Sequence, residues 1–177
     1  MTISGDKRKV AITMHSRHFI PTTIVSGFPG IGKSFIAKKF PLMVRDLDSS
    51  PFHWKDDEDG NKIENPLWPG SYINAIKALN MSGMYMNVMV SSHKLIREEM
   101  AKAGIKYTNV FPENTPKMKK IIIDRYRTRG SSPEFIENLD KHWDEYISEM
   151  KNDTNSVRNI ELNPESLDVW AERMLMR

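Results

Sequence analysis

Apolar and β-branched residues cluster in short runs at Thr22 to Ser26, Leu42 to Leu47, Met84 to Ser91, Tyr107 to Phe111 and Asn159 to Leu162, each of a length suited to a buried strand. Between these runs the apolar spacing changes to that of a helix. Tyr72, Ile73, Ile76 and Leu79 fall on one face; Leu95, Ile96, Met100 and Ala103 fall on another, between Ser92 as N-cap and a stop at Gly104. The clearest helical stretch starts at Ser132 and Pro133 and places Phe135, Ile136, Leu139, Trp143, Tyr146, Ile147 and Met150 on its apolar stripe. Asn163-Pro164-Glu165 repeats the start signal, and Leu167, Trp170, Ala171 and Met174 form the stripe of a closing helix. Strands and helices alternate, which predicts an α/β fold. Parallel strands need crossover connections, and those connections cover both faces of the sheet with helices.

Composition narrows the function classes. A chain of 177 residues with 39% hydrophobic and 28% charged residues supports one core and reads as one domain. Its net charge of +3 is too small to imply a nucleic-acid partner, and most of its Trp and Tyr residues fall at core spacing, not in a stacking array. Without cysteine there is neither a disulfide framework nor a thiolate metal site, which accords with a reducing cytoplasm. No run approaches the roughly 18 apolar residues of a membrane span, so a soluble chain with no membrane partner, monomeric or homodimeric, is expected. Residues 1–21, interrupted by Lys7, Arg8, Lys9, His15, Arg17 and His18, read as a lead-in or as an added edge strand around Lys9 to Met14. Lys55 to Asn65 is polar, acidic and Gly-containing, and reads as an exposed loop. The five histidines have no metal-ligand spacing, and no Gly-x-Ser-x-Gly elbow is present.

The strongest chemical signal is Gly27-Phe28-Pro29-Gly30-Ile31-Gly32-Lys33-Ser34, which satisfies Gly-x-x-x-x-Gly-Lys-Ser. In such a loop the glycines let backbone N–H groups wrap around phosphates. Gly32 permits the close approach, Lys33 reaches the β- and γ-phosphates, and Ser34 ligates Mg2+ at a helix start whose dipole favours the anion. Gly27, Gly30, Ile31, Gly32, Lys33 and Ser34 are therefore the expected binders of ATP. Chance produces such a match in roughly one chain of this length in a hundred. The strand TTIVS before it and the helical run SFIAKKF after it make chance rarer still.

Further candidates cluster around that loop. Asp46 and Asp48 alternate onto one side of a strand end, where one carboxylate can hold Mg2+ and the other can accept a hydrogen bond from the attacking group. A solvated Asp- and Ser-rich turn is the plain alternative. Lys117 to Gly130 is basic. Arg125 and Arg129 are four apart and share a helix face, where planar donors would stabilise the charge of a transferring phosphoryl group; Arg127 or a merely solvated face are the alternatives. The strand ending Ser91-Ser92-His93 lacks a terminal Asp, which argues against motor and GTPase classes. His93 and Arg97, one helical turn apart, are candidates to face an acceptor.

With these residues the chain resembles the nucleoside monophosphate kinase-like group of P-loop kinases over most of residues 22–177, and its Asp-x-Asp strand end resembles that of shikimate and gluconate kinases. The resemblance implies a three-layer α/β/α fold with a five-stranded, mainly parallel sheet. It implies an acceptor region over about 50–80 that includes Trp68, and a helical lid over about 114–132. It implies catalytic roles for Lys33, Asp48, Arg125 and Arg129, with Mg2+ at Ser34 and Asp46. The expected reaction moves the γ-phosphate of ATP to a nucleoside or deoxynucleoside monophosphate. The alternatives are a small hydroxylated metabolite as acceptor, or a nucleotide-binding regulatory module without turnover.

Overall fold

The computed structural model describes residues 21–175 of the chain, so the edge strand expected around Lys9 to Met14 lies outside the described residues, as do the side chains of Ala171 and Met174. Five strands form one sheet: β1 (Thr23–Gly27), β2 (Val44–Asp46), β5 (Asn87–Ser91), β6 (Tyr107–Pro112) and β7 (Arg158–Leu162). Their spatial order is β2-β5-β1-β6-β7, and every pairing is parallel. β1 is central, with Val25 paired to Met89 on one side and to Thr108 on the other. A strand paired on both edges and covered on both faces has no solvent side, which is why TIVSG carries no charge and buries four of its five residues.

Alternation along the strands divides the core. Ile24, Val88, Val90 and Tyr107 pack with Tyr72 and Ile76 of α3 (Gly70–Ser82) and with Ile96 and Met100 of α4 (Lys94–Lys102). Val25, Met89 and Val110 join a second cluster with Ile36 of α1 (Lys33–Lys39) and Met118 and Ile122 of α5 (Pro116–Thr128). Helices therefore flank the sheet on both faces, as parallel crossovers require. Among the described residues no helix is long and apolar enough to cross a membrane.

Several boundaries differ from the sequence pattern. The run Leu42 to Leu47 yields only Val44–Asp46 as strand, because Leu42 is 87% exposed in a turn. Met84 is likewise exposed, and β5 starts at Asn87. The expected long helix from Ser132 is two helices, α6 (Pro133–Lys141) and α7 (Trp143–Lys151), broken at His142. Its start is as expected, with Ser132 Oγ accepting the Phe135 N–H. Beyond the break Trp143 packs edge-on against Phe28 and donates its indole N–H to Asn114 at 2.8 Å. At Asn163 the start signal is visible as a reciprocal pair, since Ser166 N–H donates to Asn163 Oδ1 and Asn163 N–H to Ser166 Oγ, both at 2.9 Å. Turns follow it, and regular helix begins only at α8 (Trp170–Leu175).

The polar stretch Lys55 to Asn65 is not a plain loop. After the short helix α2 (Ser50–His53), β3 (Trp54–Asp56) pairs antiparallel with β4 (Lys62–Glu64). Asp57 Oδ1 accepts the backbone N–H groups of Asp59 and Asn61 at 2.9 and 2.8 Å, and Gly60 supplies a φ of 81°, so side-chain chemistry closes the turn. The segment expected to be a lid is mostly α5, whose Met118, Ile122 and Ile123 are buried in the main core. Only its C-terminal end reaches the cleft described next.

Candidate functional site

β1 ends in the glycine-rich loop, which turns directly into α1. Gly30 and Gly32 hold φ values of 83° and 100°, a left-handed region that favours residues without a Cβ. A Cβ on Gly30 would stand 2.9 Å from Ile122 Cγ2 and 3.0 Å from the Tyr126 ring, whereas a Cβ on Gly32 would meet nothing within 4 Å. Gly30 thus lets α5 press against the loop, and Gly32 leaves the loop open toward the cleft. Lys33 folds back so that its Nζ donates to the carbonyls of Gly27 and Phe28, at 2.5 and 3.2 Å. Burial lowers its pKa to about 8; the Asp46 carboxylate opposes the shift, the Arg129 guanidinium adds to it and Asp48 opposes it again. A cation held that far below its ordinary range, on a loop open to the cleft, is stabilised by an incoming anion.

Ser34, at the start of α1, donates its hydroxyl to Asp46 Oδ2 at 2.5 Å, joining the loop to the end of β2. Asp48 lies two residues further on and its Oδ1 accepts the Ser50 N–H at 3.0 Å, capping the entry to α2. These groups line one cleft of about 350 Å3. Its walls also include Ser91, Ser92 and His93 from the end of β5, and Tyr126, Arg129 and Phe135 from α5 and α6. The Arg129 guanidinium lies 5.5 Å from the centre of the Tyr126 ring, which supports it at the cleft mouth. His93 is held toward its neutral form, first by desolvation, then by His53, Lys33 and Arg97.

The cleft brings together Gly27, Gly30, Gly32, Lys33, Ser34, Asp46, Asp48, His93 and Arg129 of the residues singled out in the sequence. Ile31 and Arg125 instead line an adjoining cavity of about 470 Å3 behind the loop, with Phe35, Asp168 and Trp170, and Gly32 and Arg129 border both spaces. Arg125 donates to Asp168 at 2.6 Å and to the Gly30 carbonyl at 3.2 Å. The Trp170 indole N–H donates to the Ile31 carbonyl at 2.9 Å, fixing the back of the loop. Arg127 pairs with Asp124 in solvent.

Two candidates are engaged elsewhere. Trp68 does not line the cleft; it stacks on His53, which stacks in turn on Trp54, with ring centres 4.5 and 4.4 Å apart. Arg97 is buried, with its guanidinium 2.6 Å from Asp153 and 3.5 Å from Glu149, and its Nε–H donates to the Ser92 carbonyl. Burial raises the Asp153 pKa, but hydrogen bonds from Asn109, Arg97, the Asn155 backbone and Tyr107 outweigh that and hold it low. Arg97 therefore joins α4 to the end of α7.

Two residues at or near the cleft carried no distinguishing signal in the sequence. Phe135 sits at a core-stripe position but is 41% exposed at the cleft edge, and Trp170 sits at a stripe position while its polar edge holds the loop. No family model matches the chain, and no curated protein matches its sequence.

Proposed function

We propose that this protein is a P-loop kinase of the nucleoside monophosphate kinase-like group, transferring the γ-phosphate of ATP to a nucleoside or deoxynucleoside monophosphate in the cytoplasm. The observation that carries the reading is the convergence of Lys33, the Ser34–Asp46 pair and Arg129 on one cleft at the mouth of a glycine-rich strand-to-helix loop. The parallel five-stranded sheet with helices on both faces is the architecture this reading requires.

The residues suit the roles. Phosphate oxygens replace the Gly27 and Phe28 carbonyls as partners of the Lys33 ammonium. Ser34 Oγ and an Asp46 oxygen, already in contact, would hold a Mg2+ ion. Such an ion neutralises charge on the β- and γ-phosphates when bound. The cavity lined by Phe35, Arg125 and Trp170 suits the base of ATP. An acceptor oxygen attacks the γ-phosphorus from the Asp48 side as the bond to the β–γ bridging oxygen breaks, and ADP leaves. Arg129 stabilises the equatorial oxygens, and Asp48 takes the proton when the attacking oxygen carries one.

One observation favours the second acceptor class. The far end of the cleft offers Asp48, Ser49, Ser50, Ser91, Ser92 and His93, whereas Arg97, a natural clamp for an acceptor phosphate, is committed to Asp153. Hydroxyls and a carboxylate suit a hydroxylated metabolite. An ADP-release assay across nucleoside monophosphates and polyhydroxylated acids, with Lys33→Ala as control, separates the two. No acceptor-stimulated turnover in either panel refutes the kinase reading and leaves a nucleotide-binding module.

A further inference from the structure

A third space adjoins the cleft at the start of α4. It measures about 310 Å3 and shares Pro29, Ser92 and His93 with the cleft as lining residues. Beyond them its walls are Lys94 and Leu95 of α4 and Tyr146, Glu149 and Met150 of α7. Pro29, Leu95, Tyr146 and Met150 supply its apolar walls, and Leu95 is 44% exposed. Covering such a side chain with a flat apolar ligand removes its surface from water. Lys94 and Glu149 add charged groups at its rim, and of the two Glu149 is the acceptor. Its carboxylate has contacts of 3.8 Å to Lys94 and 3.5 Å to Arg97, longer than good hydrogen bonds, so lone pairs stay available to N–H donors.

Several aromatic residues between β2 and β5 are already engaged. Trp68 and His53 stack on each other, and the Tyr72 hydroxyl is taken by the Leu47 carbonyl and the Ser91 N–H at 2.8 and 3.0 Å. The volume is near the lower end of the roughly 300–1,000 Å3 found for small-molecule sites, enough for one or two fused rings.

We infer that the cavity between α4 and α7 receives a planar nitrogen heterocycle of the acceptor, set against Leu95 and Tyr146 with its ring N–H or amino hydrogens on Glu149. The inference rests on the phosphoryl-transfer reading and narrows it. The acceptor enters past His93 with its ring away from the β3–β4 hairpin. A base-bearing monophosphate uses the whole path, and a ring-free hydroxylated acid leaves the cavity unused.

The test is isothermal titration of the full chain with each of the four deoxynucleoside 5′-monophosphates, in saturating Mg2+ and a non-hydrolysable ATP analogue, for the wild type and for Leu95→Trp, which fills the cavity. At least one monophosphate is expected to bind the wild type and to bind the variant tenfold or more weakly, while the analogue binds both alike. Equal monophosphate affinities in the two proteins overturn the inference, as does a wild type that binds the analogue and none of the monophosphates. A wild type that fails to bind the analogue removes the phosphoryl-transfer reading and the inference with it. Should circular dichroism show Leu95→Trp misfolded, Leu95→Phe replaces it with the same expected direction.

Discussion

Replacing Lys33 with methionine is expected to stabilise the ligand-free protein while abolishing nucleotide binding. The lysine pKa is lowered from 10.5 to about 8, chiefly by burial. At roughly 1.36 kcal/mol per pKa unit, the charged form costs about 3 kcal/mol at pH 7. Methionine keeps the aliphatic stem without the charge. It also gives up the hydrogen bonds to Gly27 and Phe28, worth roughly 0.5–1.5 kcal/mol each. The net gain is therefore about 1 kcal/mol. Because the folded pKa lies below the unfolded one, Lys33 binds fewer protons in the folded chain between pH 8 and 10.5, and its contribution to wild-type stability rises with pH across that window. Above about pH 10 the trend reverses, since burial raises Tyr72, Tyr107 and Tyr126, the last to about 12, and the unfolded tyrosines ionise first. Urea unfolding of both proteins at pH 7, 8, 9 and 10 in phosphate-free buffer reads the effect as the difference between two curves. With Mg2+–ATP at a hundred times its Kd the wild type should gain about 2.7 kcal/mol and the variant nothing. A Lys33→Met protein less stable than wild type at pH 7, or two curves parallel between pH 8 and 10, would refute the reasoning.

Other consequences are open to direct measurement. Asp46→Asn should lower Mg2+–ATP affinity tenfold or more and leave metal-free nucleotide binding nearly unchanged, as read by titration with and without the ion. Gly30→Ala combines positive-φ strain with a clash against Ile122 and Tyr126, and should lower unfolding free energy by about 2–4 kcal/mol; Gly32→Ala meets only the strain, about 1–2 kcal/mol, in the same denaturation assay. Arg97→Ala leaves the Asp153 carboxylate buried without its close counter-charge, held only by neutral donors from Asn109, Tyr107 and the Asn155 backbone, and should cost about 3–5 kcal/mol at pH 7. Because the Asp153 pKa is depressed, its contribution is present above its unfolded pKa and lost as pH falls through the folded one. The penalty of Arg97→Ala should therefore shrink in acid.

What the sequence made legible was what short spacing encodes. Gly27 to Ser34 announces its turn because φ-permissive glycines, a lysine and a hydroxyl must fall within eight positions, and Asp46 and Asp48 announce themselves by alternation at a strand end. The five strands were legible as apolar runs, but their ends were not. Leu42 and Met84 look like strand residues to any local rule, and only the three-dimensional path leaves them in water. The hairpin at Trp54 to Glu64 was hidden because its turn is closed by the Asp57 carboxylate and not by a strongly apolar strand pattern. Arg97 looked like an acceptor ligand because it lies one turn from His93. Its partner Asp153 is 56 residues away, beyond the reach of periodicity. Phe135 and Trp170 carry the stripe spacing of core residues, and nothing local reveals that one edges the cleft and the other anchors the loop.

The Trp170–Ile31 hydrogen bond links residues 139 positions apart. At ribosomal speeds of about 5–20 residues per second, roughly 7–28 s separate the synthesis of the two partners. Through that interval the nascent loop lacks the brace behind its backbone, so its final geometry is a late event in biogenesis. A ribosome stalled before codon 170 would hold a chain with most of its sheet sequence made and its glycine-rich loop still unset.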